Sequence, residues 1–274
     1  MSKKSKFGVI LIIIFMATVA ILFSRKPSHD RDWEMDQKIL PEISFSDSEV
    51  DIKNMRDFKY SSETDYEISY YDKNIDINHI ESLDYIIEPF SDFDWPAHTM
   101  FSFWLNNWEH IIISAEIRKE KWESFSPIKW IMRDYEIVYM IGSETDFVKL
   151  RANYRKDDVI MYPIKTTQEK IQKLFISMLE RADELSKKAE FYNTITQNCT
   201  TSILSHVNEL REEKIPWSLE ALLPSNSDKV IYELWLINTQ LTLPEARKYY
   251  QINDLSEQFG DDKNYSDKIR KIIK

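Results

Sequence analysis

"HTMFSFWLNNWEHIIISAEI", residues His98 to Ile117, sets two runs of aromatic and β-branched residues on either side of Asn106-Asn107, the composition of a β-hairpin. With a period of two, His98, Met100, Ser102 and Trp104 share one face of the first strand. His110, Ile112, Ser114 and Glu116 share one face of the second. If the numbers of facing residues sum to 212 or 214, His98 lies opposite Ser114 or Glu116; a tight two-residue turn gives 213 and places Ala115 there. The residues leave these registers open.

Outward from the hairpin, "VDIKNMRDFKY", "YEISYYD", "YEIVYMIG" and "VIMYPI" read as further strands, bounded by Asn, Asp, Pro or charged clusters as an antiparallel sheet requires. Helices dominate afterwards. Thr166 and Glu169 have the spacing of a capping box, followed by Ile171, Leu174, Phe175, Met178, Leu179, Ala182 and Leu185 at helical intervals. A second helix is expected from about Cys199, capped by Asn198 or Thr196, with Ile203, Leu204, Val207 and Leu210 inward. The tail is expected to be helical from Asp228, then polar and frayed beyond Gly260. These signals predict an α+β class, an antiparallel sheet with packed helices.

The charge-free run "FGVILIIIFMATVAILF", residues 7–23, just reaches across a hydrocarbon core and predicts one N-terminal transmembrane helix, with a cleaved signal peptide as the alternative. The division that follows is 1–6 a basic cytoplasmic terminus, 7–23 an anchor in the inner membrane, 24–41 a tether, 42–258 a domain facing the periplasm and 259–274 a polar tail. Over the whole chain 36 basic side chains face 46 acidic ones, and five of the basic ones lie before residue 30, so the remainder is strongly acidic. Nucleic acid is therefore not an expected partner. Three glycines, Gly8, Gly142 and Gly260, supply no phosphate-binding loop, so neither nucleotide nor cofactor is expected. The five histidines lack metal-ligand spacing.

Cys199 is the single cysteine and falls at an expected helix start, where unpaired N–H groups and the positive end of the helix dipole stabilise a thiolate. A lone cysteine is also a small apolar core residue, so both roles stay open. A nucleophile needs a base in reach and a group to orient that base. His29 lies in the tether, His79 in a polar stretch, and His206 about 10 Å further along the helix of Cys199. His98 and His110 remain. His98 is preferred because it opens its strand beside "DWPA", where a sheet end meets a loop. Ser114 or Glu116 would orient its ring, and donors near Asn198, Cys199 and Thr200 would hold an oxyanion.

The blocks "RDF" (Arg56 to Phe58), "HTMFSF" (His98 to Phe103), "ISAEIRKEKWESFSP" (Ile113 to Pro127), "YEIVYMIGSETDFVKLR" (Tyr135 to Arg151) and "FYNTITQNCTT" (Phe191 to Thr201) together resemble the N-terminal periplasmic domain of the Lnb-type lipoprotein N-acyltransferases. The resemblance spans about residues 30 to 255. It implies a thiol acyltransferase whose histidine and cysteine carry over onto His98 and Cys199. The order of histidine, polar strand residue and cysteine at a helix start is similar to the permuted papain-like arrangement of NlpC-type hydrolases. Arg56 and Arg118 fall in matching blocks, where they are expected to support the site through a buried ion-pair network. Proteins of that family named as acyltransferases continue into further transmembrane helices, which this chain does not show. The resemblance thus leaves three expectations: an acyltransferase or hydrolase acting on lipid or lipoprotein acyl groups, a cell-wall peptide amidase or peptidase with the same pair, or a non-catalytic binding domain.

Overall fold

A computed structural model describes residues 24–90, 97–123, 135–193, 196–218 and 223–270, together with positions 7, 13 and 16. The expected anchor, 7–23, falls almost wholly outside these residues, as do "DWP" before Ala97 and parts of the block ending at Pro127. Among the described residues no helix is long and apolar enough to cross a membrane.

The hairpin forms as β7 (Ala97–Leu105) and β8 (His110–Arg118). Its register sums to 214, with Phe101 facing Ile113 and Trp104 facing His110. The extra residue is Trp108, held at a φ of 69° after Asn106-Asn107. A turn followed by one left-handed residue lengthens the loop by one position and so excludes the tight-turn register.

Around this hairpin β6 (Ile80–Pro89) pairs with β7 and β9 (Glu136–Ser143) with β8, both antiparallel. β1 (Glu42–Ser46) and β2 (Glu49–Arg56) extend one edge, and β10 (Ile160–Pro163) closes the other, giving the order β1-β2-β9-β8-β7-β6-β10. The short β3 (Lys59–Tyr60) and β4 (Tyr66–Glu67) pair with each other, β5 (Tyr70–Asp76) pairs with β2, and β11 (Glu190–Phe191) pairs with β9. The sheet is mixed rather than antiparallel throughout, because β2 meets β9 in parallel at Arg56 and Gly142. The absent side chain makes this join possible: a Cβ on Gly142 would lie 2.2 Å from the Arg56 carbonyl oxygen.

Seven α-helices among the described residues cover both sheet faces: α1 (Glu144–Lys149), α2 (Gln168–Lys187), α3 (Cys199–Glu209), α4 (Ser227–Glu233), α5 (Leu243–Tyr250), α6 (Asn253–Phe259) and α7 (Tyr265–Lys268). The fold class is α+β. On one face, the predicted stripe of α2 is buried in full with Ile203 of α3 against Phe101, Phe103, Ile113 and Tyr139. On the other, Phe147 and Val148 of α1 join Ile252, Tyr265 and Ile269 over Met100, Ile112 and Met140. The α2 cap is Thr167, whose hydroxyl accepts from the Lys170 amide, one residue later than the Thr166 spacing suggested.

Two segments read as loose from composition are packed. In the expected tether, Trp33 is buried beneath the Arg118 guanidinium, 4.4 Å from the ring centre, and the Ser28 amide donates to Glu136. Beyond Gly260, Tyr265 and Ile269 are buried and Arg270 pairs with Asp84 and Glu144. A few large side chains at wide spacing anchor both segments, so local polarity is a poor guide to their order.

Candidate functional site

β7 and β8 are partnered only from Phe101 and Ile113 to Trp104 and His110, while β7 stays paired with β6 out to Ala97 and β8 with β9 out to Arg118. The two strands therefore part company at the end that carries His98. Across this split the His98 Nε2 lies 2.7 Å from Ser114 Oγ and 3.2 Å from Glu116 Oε1, and Ser114 donates to the same Glu116 oxygen at 2.8 Å. Both residues named from the open registers thus contact the ring.

The start of α3 enters the same split. Asn198 caps the helix, accepting from the Thr201 amide at 2.7 Å while Thr201 Oγ1 accepts from the Asn198 amide at 2.8 Å. Cys199 is then the first helical residue, where backbone amides have no acceptor within the helix and the dipole favours negative charge. Its sulfur lies 3.8 Å from the Ala97 carbonyl oxygen and 3.9 Å from Thr200 Oγ1, and the His98 side chain is near enough to favour its ionisation. Thr200 Oγ1 in turn meets Thr99 Oγ1 at 3.2 Å. Cys199 is 5% exposed and His98 8%.

Burial pulls the His98 imidazole toward neutrality, but the Glu116 charge and hydrogen bonds to Cys199 and Glu116 outweigh it and raise its pKa from 6.5 to about 10. Burial likewise pushes the Cys199 thiol up, and the hydrogen bond and charge of His98, with Thr99, reverse that and bring it below its ordinary value. Glu116 is held well below the usual carboxylate range: burial opposes this, and His98 and then Arg151 overcome it. These shifts favour a protonated imidazole and ease ionisation of the thiol.

Arg151 was not singled out as a site residue. It lies in a π-helical turn, Leu150–Arg155, a geometry often found at functional positions. Its Nη2 donates to Glu116 Oε1 at 2.9 Å and its Nε to the buried Glu88 at 2.6 Å. The available signal was an arginine among "DFVKLRANY", a position that turns into the core. Tyr192 is buried, and burial first, then the charges of Cys199 and Glu116, raise its phenol well above its usual range.

Arg56 and Arg118 do not touch His98 or Cys199. Arg56 clamps Asp146 with two hydrogen bonds, of 2.8 and 2.7 Å, and packs 4.1 Å from the Phe147 ring centre. Arg118 donates to the carbonyls of Gln37 and Lys38 and pins the N-terminal segment. Asn198 spends its side-chain oxygen on the cap, so its support is structural in kind. His206, expected to be half exposed, is buried between Tyr139 Oη at 2.9 Å and Ser177 Oγ at 2.7 Å, because α3 turns that face toward α2. His110 stacks on Trp104 and lies 3.9 Å from Glu144, away from Cys199, whereas His79 is exposed. Among the described residues no group of three or more His, Cys, Asp or Glu side chains is arranged to hold a metal ion.

Between α2, α3 and α4 lies an apolar pocket of about 510 Å³. Tyr85, Phe101 and Thr200 form part of its wall, with Leu174 of α2, Ile203 of α3 and Ile231 of α4. Thr200, the residue after Cys199, belongs to this wall, whereas Cys199, His98, Ser114 and Glu116 do not. Residues 66–225 match the family model described as the Lnb N-terminal periplasmic domain. No curated protein matches the chain, and no solved structure does.

Proposed function

This chain belongs to the family of the Lnb N-terminal periplasmic domain, and from that premise we propose that it is a membrane-anchored thiol acyltransferase or hydrolase acting on lipid or lipoprotein acyl groups at the periplasmic side. The family supports a periplasmic location. The observation that carries the reading is the buried series Cys199, His98, Glu116 and Arg151, in which each charge stabilises the next.

In this reaction the Cys199 thiolate attacks the carbonyl carbon of an ester or amide. A C–S bond forms, the C–O or C–N bond breaks, and the His98 imidazolium gives its proton to the departing oxygen or nitrogen. An amine or water then attacks the thioester, returning a proton to His98 and the sulfur to its starting state. First-turn amides near Cys199 would bind the carbonyl oxygen as it gains charge. Glu116 and Ser114 orient the ring and are positioning residues. The permuted papain-like arrangement belongs to the same reading: histidine on one strand, its polar partners on the next, cysteine at a helix start.

The pocket favours a lipid over a cell-wall peptide, since its wall is dominated by Leu, Ile, Val and Phe rather than by groups that pair with peptide amides. A non-catalytic binding role would give no reason for an imidazole drawn to the thiol by a buried carboxylate. The test is acyl-thioester formation, read by mass, after incubation with an activated lipid ester. Wild type should acquire the acyl mass, Cys199→Ser should not form a thioester, and His98→Ala should label at least about 100-fold more slowly. Equal labelling of His98→Ala and wild type would refute the mechanism.

A further inference from the structure

Among the described residues, the charged side chains that line the apolar pocket are Lys165, Lys170 and Arg211, all basic, in a chain of net charge −10. Lys165 and Lys170 are exposed. The carboxylate beside Lys170 is engaged elsewhere, Glu169 accepting from Lys173 at 2.6 Å. Arg211 donates to the Glu213 carbonyl rather than to a carboxylate. A cationic rim around an apolar hollow is complementary to a molecule with an anionic head and a hydrocarbon chain.

Two tryptophans stand beside this rim. Trp235, 83% exposed, immediately precedes the pocket residue Leu236, and Trp217, 55% exposed, follows the pocket residue Ile215 by two positions. Trp235 also occupies an unusual place. It follows the last turn of α4 at a φ of 57°, its amide donating to the Tyr232 carbonyl and the Leu236 amide to the Ile231 carbonyl. This is the left-handed helix-ending position that glycine ordinarily takes. A large indole there strains the backbone and leaves its ring in water, so folding alone does not account for it. Exposed tryptophan beside lysine and arginine is the composition of a membrane–water interface.

We propose that the mouth of this pocket is a bilayer-binding face selective for anionic phospholipid. Trp217 and Trp235 enter the headgroup layer, Lys165, Lys170 and Arg211 meet the phosphate, and one acyl chain runs into the pocket toward Thr200. The last step rests on the thiol reading above for its destination; the docking face does not.

The test uses the full chain carrying Cys199→Ser, reconstituted in nanodiscs of phosphatidylcholine with or without phosphatidylglycerol, the acyl chains brominated. Quenching of tryptophan fluorescence should be stronger in the anionic discs. That increment should fall by more than half in Trp217→Phe/Trp235→Phe and in Lys165→Glu/Lys170→Glu/Arg211→Glu. An increment unchanged in either variant overturns the proposal. Trp235→Gly separates docking from folding, because glycine suits the backbone there: the melting temperature should hold or rise while quenching drops, and undiminished quenching would overturn the proposal. Since Cys199→Ser cannot form a thioester, these results are independent of whether Cys199 acylates.

Discussion

Glu116→Gln keeps hydrogen-bonding capacity at the site and removes the charge that holds His98 protonated. The rise of the imidazole from 6.5 to about 10 corresponds to about 5 kcal/mol in favour of the charged ring, at roughly 1.4 kcal/mol per pH unit. Two opposite charges 3.2 Å apart at an effective dielectric constant of about 20 give the same magnitude, about 5 kcal/mol. Without that charge, burial is opposed only by the remaining contacts of the ring, Cys199 among them, and the ring moves toward neutrality. Cys199 then loses its cationic partner and, itself buried, ionises only above the ordinary thiol value of 9.0. The assay is the rate of alkylation by iodoacetamide from about pH 5 to about pH 10. Wild type should keep reacting at lower pH than the variant, which should slow by about tenfold per pH unit below 9. Arg151 retains Glu88 at 2.6 Å, so the variant should remain folded, which circular dichroism checks. Superimposable pH profiles would refute the electrostatic account of the site.

Gly142→Ala should destabilise by at least about 3 kcal/mol in urea unfolding, because the new methyl collides with the Arg56 carbonyl and the parallel join has no slack. His206 is buried and its pKa is lowered from 6.5 to about 4, so its neutral form stabilises the fold above pH 6.5 and that contribution is lost as pH falls toward 4. Stability should drop by about 3 kcal/mol across that window, and a His206→Gln variant should show a flatter curve. His98 acts at the other end: its raised pKa stabilises the fold fully below 6.5 and ceases to do so as pH climbs through about 10, a loss that Glu116→Gln should abolish. Arg270→Met should cost about 3–5 kcal/mol by leaving Asp84 and Glu144 without a counter-charge, and adding Asp84→Asn with Glu144→Gln should restore most of it.

The α2 stripe was legible to the last residue because a 3.6-residue period is a local property, and all seven predicted positions are buried. The hairpin was legible for the same reason. Its register was narrowed to three choices, and one residue, Trp108 in a left-handed conformation, selects among them. The convergence of residues 98, 114, 116 and 199 was inferable from chemistry, since an ionisable thiol needs a nearby base and an orienting group. Arg151 was not inferable in that way. Its role depends on a π turn and on the partner Glu88, 63 positions away, and no local pattern announces either. The parallel contact of β2 with β9 was hidden similarly: a single glycine among strand-forming residues gave no sign of which backbone it would admit.

The placement of Arg270 has a temporal consequence. Asp84 and Glu144 are synthesised well before residue 270, and their arginine counter-ion comes from that late residue. A polypeptide threaded amino end first across a membrane therefore carries both carboxylates without their arginine partner until residue 270 has emerged. The ion pairs at these two positions can close only after residue 270 has folded back onto the sheet.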